Sequence, residues 1–382
     1  YLFTPDGQAV ANPFPNLPAP LSRPSVTDDG NVFVYISQDN RMNAVTFDWA
    51  NSTFDHQVIQ NEQIWRNVAI SRDGNHLAAV TTDNDNRLYV TDSQGDFSFY
   101  ELFNPTTGDD GQKTGDVLYA DVLEWDLTGE WVMYDALNSL NTVGGDDIEY
   151  WDISFISVWN NVLNDYSDGY TGKLFNGLPE NVSVGNPTFA KNSDYIIAFD
   201  YFDEFEDEYF LLATNFETGD VGTIFQNSDL SWPNYSVDDN RMVFDAFDNQ
   251  NNPVLAFISI GNDKISAVGN ASIFLDGGRS GVWFANGERV LLDDKEASSG
   301  QLFQAYPNPA GDWLTLDFAS EKAGGGQVQV LDLLGKLMHS EGFDVQQGQN
   351  RRQVSLTELP AGNYLVRLSA GENAGAVKVV RK

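Results

Sequence analysis

Cysteine is absent from the 382 residues, which excludes disulfide frameworks, thiolate nucleophiles and Cys-ligated metals. Histidine is nearly absent: His56, His76 and His339 are the three present. No two of them share a spacing suited to a metal pair, so neither His-ligated metal chemistry nor a Ser-His-Asp triad is expected. No apolar run is long enough to cross a bilayer, and no phosphate-cradling or dinucleotide-binding glycine fingerprint appears. Positive charge is also scarce, with 21 Lys or Arg against 56 Asp or Glu and a formal net charge of −35. The deficit is local. From Gln301 onward eight basic residues balance eight acidic ones, leaving 13 basic and 48 acidic side chains in the first 300 residues. Such a surface repels nucleic acid and anionic membranes. The chain begins at Tyr1 without Met or a basic leader, as expected after removal of a signal peptide.

What the chain does contain is a repeat. Asn67 to Asp92 reads as Val68–Ile70, an Arg72-Asp73-Gly74-Asn75 turn, His76–Val80, a polar loop and Leu88–Val90, with a fourth strand at Phe97–Phe103 after Gly95. Asp-Gly between apolar runs signals a hairpin, because glycine accepts the positive φ of tight turns. Echoes precede Val32–Ile36, Trp131–Tyr134, Tyr195–Phe199, Met242–Phe244 and Arg289–Leu292. With Gly30, Gly74, Gly129, Ser193, Asn240 and Gly287 as turn markers, the steps are 44, 55, 64, 47 and 47 residues. Blade-sized repeats of roughly 40–50 residues point to a β-propeller. The outer turns are expected at Gly95, Gly169, Gly219 and Gly261.

The expectation is an all-β chain with six blades over residues 1–292. The sixth unit stops after two strands, and Tyr1–Phe3 with Ala9–Ala11 are expected to complete it, since closure removes open sheet edges. The blade pattern in Ser71–Asp92 loosely resembles TolB-type propellers; that resemblance implies architecture alone, because propellers host enzymes, receptors and scaffolds alike.

In blades three to five the second strand ends in an aromatic followed by Asp: Tyr134-Asp135, Phe199-Asp200 and Phe244-Asp245. Thr82-Asp83 and Gln38-Asp39 hold the matching places in blades two and one. These aspartates are expected to start the loops between second and third strands, all on one rim. Asp is also a common turn former that bonds its own backbone. Asp135, Asp200 and Asp245, with Trp151 from the aromatic-rich third blade, form the candidate ligand-binding rim. The long Leu137–Glu149 insertion is the candidate recognition loop, since loops on rigid scaffolds carry function. Crowded carboxylates repel one another, which a Ca²⁺ ion with oxygen ligands would relieve. Asp83, Asp85, Asp203 and Asp207 are the candidate donors. Paired carboxylates also leave open a glycan-hydrolase chemistry of general acid with nucleophile or base, or a metal-dependent lyase.

Residues 293–304, DDKEASSGQLFQ, read as a linker, and 305–382 as a small antiparallel sandwich with strands at Leu314–Phe318, Val328–Leu333, Lys336–His339, Arg352–Leu356, Tyr364–Leu368 and Ala376–Val380. Turns are expected at Gly324-Gly325-Gly326, Gly335, Gly348 and Ala361-Gly362. Four blocks carry a resemblance: Tyr306-Pro307-Asn308-Pro309, Val328–Gly335, Leu359–Arg367 including Gly362 and Tyr364, and Val377–Lys382 including Lys378, Arg381 and Lys382. In that order they resemble the type A C-terminal sorting domain of type IX (Por) secretion substrates, an Ig-like fold. The resemblance implies export across the outer membrane of a Bacteroidetes-type cell, recognition by the translocon and attachment machinery, and surface anchoring or release. The combined expectation is a secreted propeller that serves as a binding or structural module for a surface protein or glycan.

Overall fold

The computed structural model describes all residues except 1, 6, 11–15, 84, 93, 96, 106–114, 142–146, 176, 180, 194, 287–302, 321, 333–336, 358, 361, 371 and 372. Every regular element described is a strand, so no helix among the described residues is long and apolar enough to cross a membrane. The chain separates into two compact units, one of residues 1–215 and 221–290, the other of residues 216–220 and 291–382.

The first unit is a β-propeller. Five four-stranded antiparallel sheets follow one another, each in sequential strand order except for an inserted hairpin in the third. They comprise Ser25–Val26, Val32–Ile36, Met42–Asp48 and Thr53–Gln60; Trp65–Ile70, Leu77–Thr81, Arg87–Thr91 and Phe97–Glu101; Gly115–Trp125, Trp131–Asn141, Asp147–Ser157 and Thr171–Lys173; Val182–Phe189, Ile196–Asp203, Glu208–Asn215 and Asp220–Asn227; Asn234–Tyr235, Arg241–Phe247, Pro253–Ile260 and Ala267–Asp276. Second strands such as Ile196-Ile197-Ala198-Phe199 are buried throughout, whereas fourth strands such as Thr53–Gln60 alternate toward solvent. A sheet covered on both faces reads as a continuous apolar run, and an outer strand keeps its period of two. The core lies between successive sheets: Val34 and Ile36 meet Val68, Ile70 and Ala79, and Ala198 and Leu211 meet Tyr235, Met242 and Phe244.

The first turn of three of the blades has a shared chemical cause. In the second sheet the Ser71 hydroxyl donates to Asp73 Oδ1 at 2.6 Å, and Asp73 Oδ1 accepts the Asn75 N–H at 3.1 Å. Ser71 Oγ in turn accepts the His76 N–H at 2.9 Å. Thr27–Asp29 and Ser236–Asp238 repeat the device. Gly30, Gly74 and Gly129 take positive φ as expected; in the fifth sheet the left-handed residue is Asp239, not Asn240. Gly95, Gly169 and Gly219 also take positive φ, but the turn at 261 places it on Lys264.

The ends of this unit approach each other. The hairpin Leu2–Phe3 with Ala9–Val10 sits on the fifth sheet, Phe3 edge-on to Phe274 at 5.7 Å and Arg241 donating to the Pro5 carbonyl at 3.2 Å. Trp283, its ring 6.4 Å from that of the same Phe274, donates its backbone N–H to Asn234 Oδ1 at 2.9 Å. The next residue, Phe284, packs on Phe33 at 5.0 Å and Trp49 at 5.7 Å in the first sheet. A segment bonded to the last full sheet and packed on the first thus links the two ends of the row of five sheets. At Gly30 a Cβ would fall 1.8 Å from the Ala285 carbonyl oxygen, so the first blade needs glycine where that segment passes. The expected strand Arg289–Leu292 lies outside the described residues.

One sequence expectation changes shape. Most of Leu137–Glu149 is not a loop: Trp131–Asn141 and Asp147–Ser157 pair residue for residue, from Trp131 with Ser157 to Asn141 with Asp147. The third blade is extended by a hairpin, which keeps the backbone of the insertion hydrogen-bonded.

The second unit is a sandwich of a three-stranded sheet (Phe303–Tyr306, Trp313–Ser320, Gly348–Ser355) and a four-stranded sheet (Leu337–Val345, Gly324–Asp332, Gly362–Ala370, Asn373–Arg381). Leu314, Leu316 and Val354 from one face Val328, Val330, Val366 and Val379 from the other. Gly324–Gly326, expected as a turn, begins a strand instead.

Candidate functional site at the propeller axis

The carboxylates expected on an exposed rim are in the wall of the ring. Asp135, Asp200 and Asp245 lie inside second strands, and are only 2%, 3% and 4% exposed. Each carboxylate binds the backbone at the entry to the next blade. Asp135 accepts the Asn186 N–H at 2.7 Å, Asp200 accepts the Trp232 N–H at 3.1 Å, and Asp245 accepts the Ser280 N–H at 2.7 Å. Asn186, Trp232 and Ser280 share a left-handed φ of 51°, 48° and 54°. The repeat is therefore a clasp: an aspartate in one blade holds the turned residue that leads into the next. Asp135 also accepts Val122 N–H at 2.7 Å, and Asp200 accepts Ser231 N–H and Asn186 Nδ2, both at 2.8 Å. Gly185 makes room, since a Cβ there would sit 3.0 Å from Asp135 Oδ2.

Burial raises all three aspartates. Asp200 and Asp245 are each pushed up to about 6, against the backbone N–H bonds that favour the charged form. Asp135 is raised by burial and then by neighbouring Asp121.

Arg23 crosses the ring at the same level. Its guanidinium donates to the Pro233 carbonyl, reaches the Pro187 carbonyl at 3.4 Å, and lies 3.8 Å from Glu124. Pro187 and Pro233 each follow a clasped residue, so the turn that lets Asp hold the N–H leaves the next carbonyl for Arg23. Arg72 makes a second crossing. It rises from the second blade's first turn, donates to Lys191 O at 2.9 Å and Ala190 O at 3.3 Å in the fourth blade, and lies 3.7 Å from Asp28 in the first.

Between these two struts is a cavity of ≈ 70 Å³ on the propeller axis. Six chain segments line it in order around the ring: Ser25–Asp28, Asn67–Ile70, Val122–Trp125, Lys191, Trp232–Asn234 and Val282–Ala285. Arg23, Arg72 and Lys191 supply its cations, and Asp28 and Glu124 its carboxylates. Lys191 is lowered to about 8, by burial foremost and by Arg72 and Arg23 in addition, with Glu124 opposing. Thr27, Asp28, Arg72, Lys191 and Val237 belong to the first hairpin turns. The cavity thus lies toward the rim opposite the loops that join second to third strands.

The remaining predicted residues stand apart. Trp151 is half-buried in Asp147–Ser157, edge-on to Tyr119 at 5.7 Å, over which the Arg66 guanidinium stacks at 4.2 Å. Asp83 and Asp85 belong to the second blade's loop. Asp203, which caps its own turn by accepting Phe205 and Glu206 N–H at 3.0 and 3.1 Å, belongs with Asp207 to the fourth. Among the described residues no group of three or more His, Asp or Glu is placed to hold a metal ion.

Sequence reasoning missed the axial residues. Their signal was present in Asn186-Pro187, Trp232-Pro233 and Ser280-Gly281, breaker pairs at blade entries about one repeat apart.

In the second unit the motif residues fasten the 306–310 segment to the last strand. Asn308 Oδ1 accepts Val380 N–H at 2.8 Å, Ala310 N–H donates to Val380 O at 2.6 Å, and Lys382 N–H donates to Ala310 O at 2.9 Å. Tyr306 and Pro307, and Asn308 and Pro309, are joined by cis peptide bonds. The Tyr306 hydroxyl donates to Asp317 at 2.6 Å, and Arg351 binds both oxygens of that carboxylate at 2.6 and 2.7 Å. The Arg351 guanidinium and the Tyr306 hydroxyl hold Asp317 down at about 2. Tyr364 Oη donates to Pro360 O at 2.8 Å, and Arg381 lies 3.5 Å from Asp312. Gly362 opens a strand of the larger sheet, and Lys378 pairs with Leu365 across it. Gly335 lies outside the described residues.

Residues 304–382 match the family described as the secretion system C-terminal sorting domain. That domain directs a protein through the type IX machinery to the cell surface or extracellular space. No curated protein matches the chain. Among solved structures it is similar to TolB from Acinetobacter baumannii, at 16% identity and a TM-score of 0.45 over 69% of this chain and 57% of that one. It is also similar to oligogalacturonate lyase from Vibrio parahaemolyticus, at 13% identity and a TM-score of 0.41 over 66% and 64%. In both, the chain spans less than two-thirds of the other protein's length.

Proposed function

We propose that this is a surface-delivered propeller acting as a binding module, with its recognition site at the axial cavity. One observation carries this reading. Three of the 13 cations available in the acidic first 300 residues converge on one cavity, away from the acidic loops. The clasp aspartates are occupied by backbone and serve the ring. The sorting domain at 305–382 follows a linker at 293–304, delivers the propeller through a Bacteroidetes-type translocon and leaves it anchored by the attachment machinery. The N-terminal hairpin completes the sixth blade.

A second reading, a carboxylate-dependent glycan hydrolase or lyase, is favoured by Asp200 and Asp245. Both are raised to about 6, a range suited to a general acid. Incubating the full chain with glycan and peptide arrays, with product analysis, separates the two. Binding without product supports the module; product released from a glycan supports the enzyme. Delivery is tested by fusing Gln301–Lys382 to an inert reporter in a type IX-competent cell. A reporter that stays periplasmic while other substrates exit removes the export route.

A further inference from the structure

We infer that the axial cavity is a carboxylate-binding site, resting on the module reading above. Its lining holds three cations, Arg23, Arg72 and Lys191, against two carboxylates, Asp28 and Glu124. The lining side chains thus carry a positive excess in a chain of net charge −35, with Asp135, Asp200 and Asp245 around Arg23 and Asp239 beside Lys191 as the surrounding carboxylates. The two guanidinium groups are fixed by backbone carbonyls of distant blades, Pro187 and Pro233 for Arg23, Ala190 and Lys191 for Arg72. Their positions are set before any ligand arrives. A planar guanidinium held in this way suits a planar carboxylate, and charge-assisted bonds of this kind are about twice as strong as neutral ones.

Size narrows the ligand. At ≈ 70 Å³ the cavity is far smaller than the roughly 300–1,000 Å³ of drug-sized ligand pockets, so a sugar ring does not fit inside. It admits one carboxylate with a short stem: a free small acid, or the end of a peptide entering from the rim of first hairpin turns. Trp125, Trp232 and Trp283 line the cavity and report on occupancy. A carboxylate beside Lys191 also relieves the repulsion from Arg72 and Arg23 that lowers this lysine.

The test is tryptophan fluorescence of the full chain titrated with sodium acetate, with a short peptide acid and with the same peptide as its C-terminal amide. Ionic strength is held with sodium fluoride. Lys191→Met is the paired variant, chosen because the strut contacts of residue 191 use its backbone. Saturable binding of acetate or the peptide acid, weakened at least tenfold by Lys191→Met and absent for the amide, is the expected result. Peptide acid tenfold tighter than acetate assigns a protein-borne carboxylate, and equal affinities a free small acid. Linear response, equal saturation by sodium chloride, or an unaltered curve in Lys191→Met overturns the assignment. Because the array experiment reads binding of any ligand, a positive array with these negative titrations removes the carboxylate while leaving the module reading intact.

Discussion

Asp200 and Asp207 lie seven positions apart in one hairpin, yet their surroundings differ completely. Asp200 is 3% exposed and takes three donors, from Asn186, Ser231 and Trp232. Asp207 is exposed at the loop tip with a φ of 53°. The same contrast separates Asp135 and Asp245 from Asp83 and Asp39. An inner set of aspartates is structural wall, and an outer set is solvated rim. Residue type predicts neither fate; position along the second strand does. A buried carboxylate has to find donors or neutralise, and the left-handed entry residues supply one to each.

The sharpest way to break this comparison is to exchange oxygen for nitrogen at both places. Asp200→Asn puts an amide N–H₂ against three N–H donors, so at least one donor loses its acceptor in a dry site. The expected loss is about 2–4 kcal/mol in urea unfolding followed by tryptophan emission. Asp83→Asn, on the exposed loop, is expected to stay within about 0.5 kcal/mol. Equal effects would erase the distinction between wall and rim.

The pH dependence discriminates next. Asp200 and Asp245 titrate at about 6 in the folded chain and near 3.8 when unfolded. The folded state therefore binds more protons between those values, and stability falls as pH rises through that window, by up to about 3 kcal/mol for each group. The turn aspartates Asp29 and Asp73, whose hydroxyl and amide donors hold them below the usual range, have the opposite sign. Their contribution is lost as pH falls below about 4. Stability is expected to peak near pH 4 and to fall between about pH 4 and 6, a slope reduced in Asp245→Asn. A midpoint that rises steadily to pH 8 would contradict the buried wall.

Closure is tested by a glycine pair. Gly30 and Gly129 have similar φ values of 71° and 68° in equivalent turns. Nothing lies within 4 Å of a Cβ at Gly129, whereas at Gly30 the Ala285 carbonyl blocks it. Alanine at either site costs the left-handed strain of about 1 kcal/mol. Gly30→Ala is expected to cost about 1–2 kcal/mol more, because the Val282–Ala285 segment must move. Equal losses would separate Val282–Ala285 from the first blade.

Much of this architecture was legible. Asp-containing first turns, apolar second strands and repeat spacing located the second strand of each of the five sheets, although the first strands of the third and fourth begin earlier than expected, and motif order identified the sorting domain. The site was less legible for a physical reason. Strand periodicity reports which face is buried, but not that a polar residue on a buried face has found partners in the next blade. Asp135 after Tyr134 looks like the end of a strand; it is mid-strand because Gly115–Trp125 bulges between Ala120 and Leu123 to present Val122 N–H. The axial cations were invisible for a similar reason. Arg23, Arg72 and Lys191 are 49 and 119 residues apart in sequence, and only ring closure brings them to one axis.

The outer set makes the smallest prediction. Asp83 and Asp85 share one loop, Asp203 and Asp207 another, and the described residues offer no three-carboxylate group for a cation. Two carboxylates in an open loop fall short of the six to eight oxygens Ca²⁺ takes. What the rim does feel is repulsion within a chain of net charge −35, which any cation screens within a Debye length of about 8–10 Å near physiological ionic strength. Added salt is therefore expected to raise the melting temperature, and CaCl₂ to exceed NaCl of matched ionic strength by less than about 1 °C. Since about 1 kcal/mol moves a unit of this size by roughly 2–4 °C, that bound corresponds to less than half a kcal/mol. A Ca²⁺-specific rise of several degrees, abolished by Asp203→Asn, would show that the rim assembles a site its separate loops do not suggest.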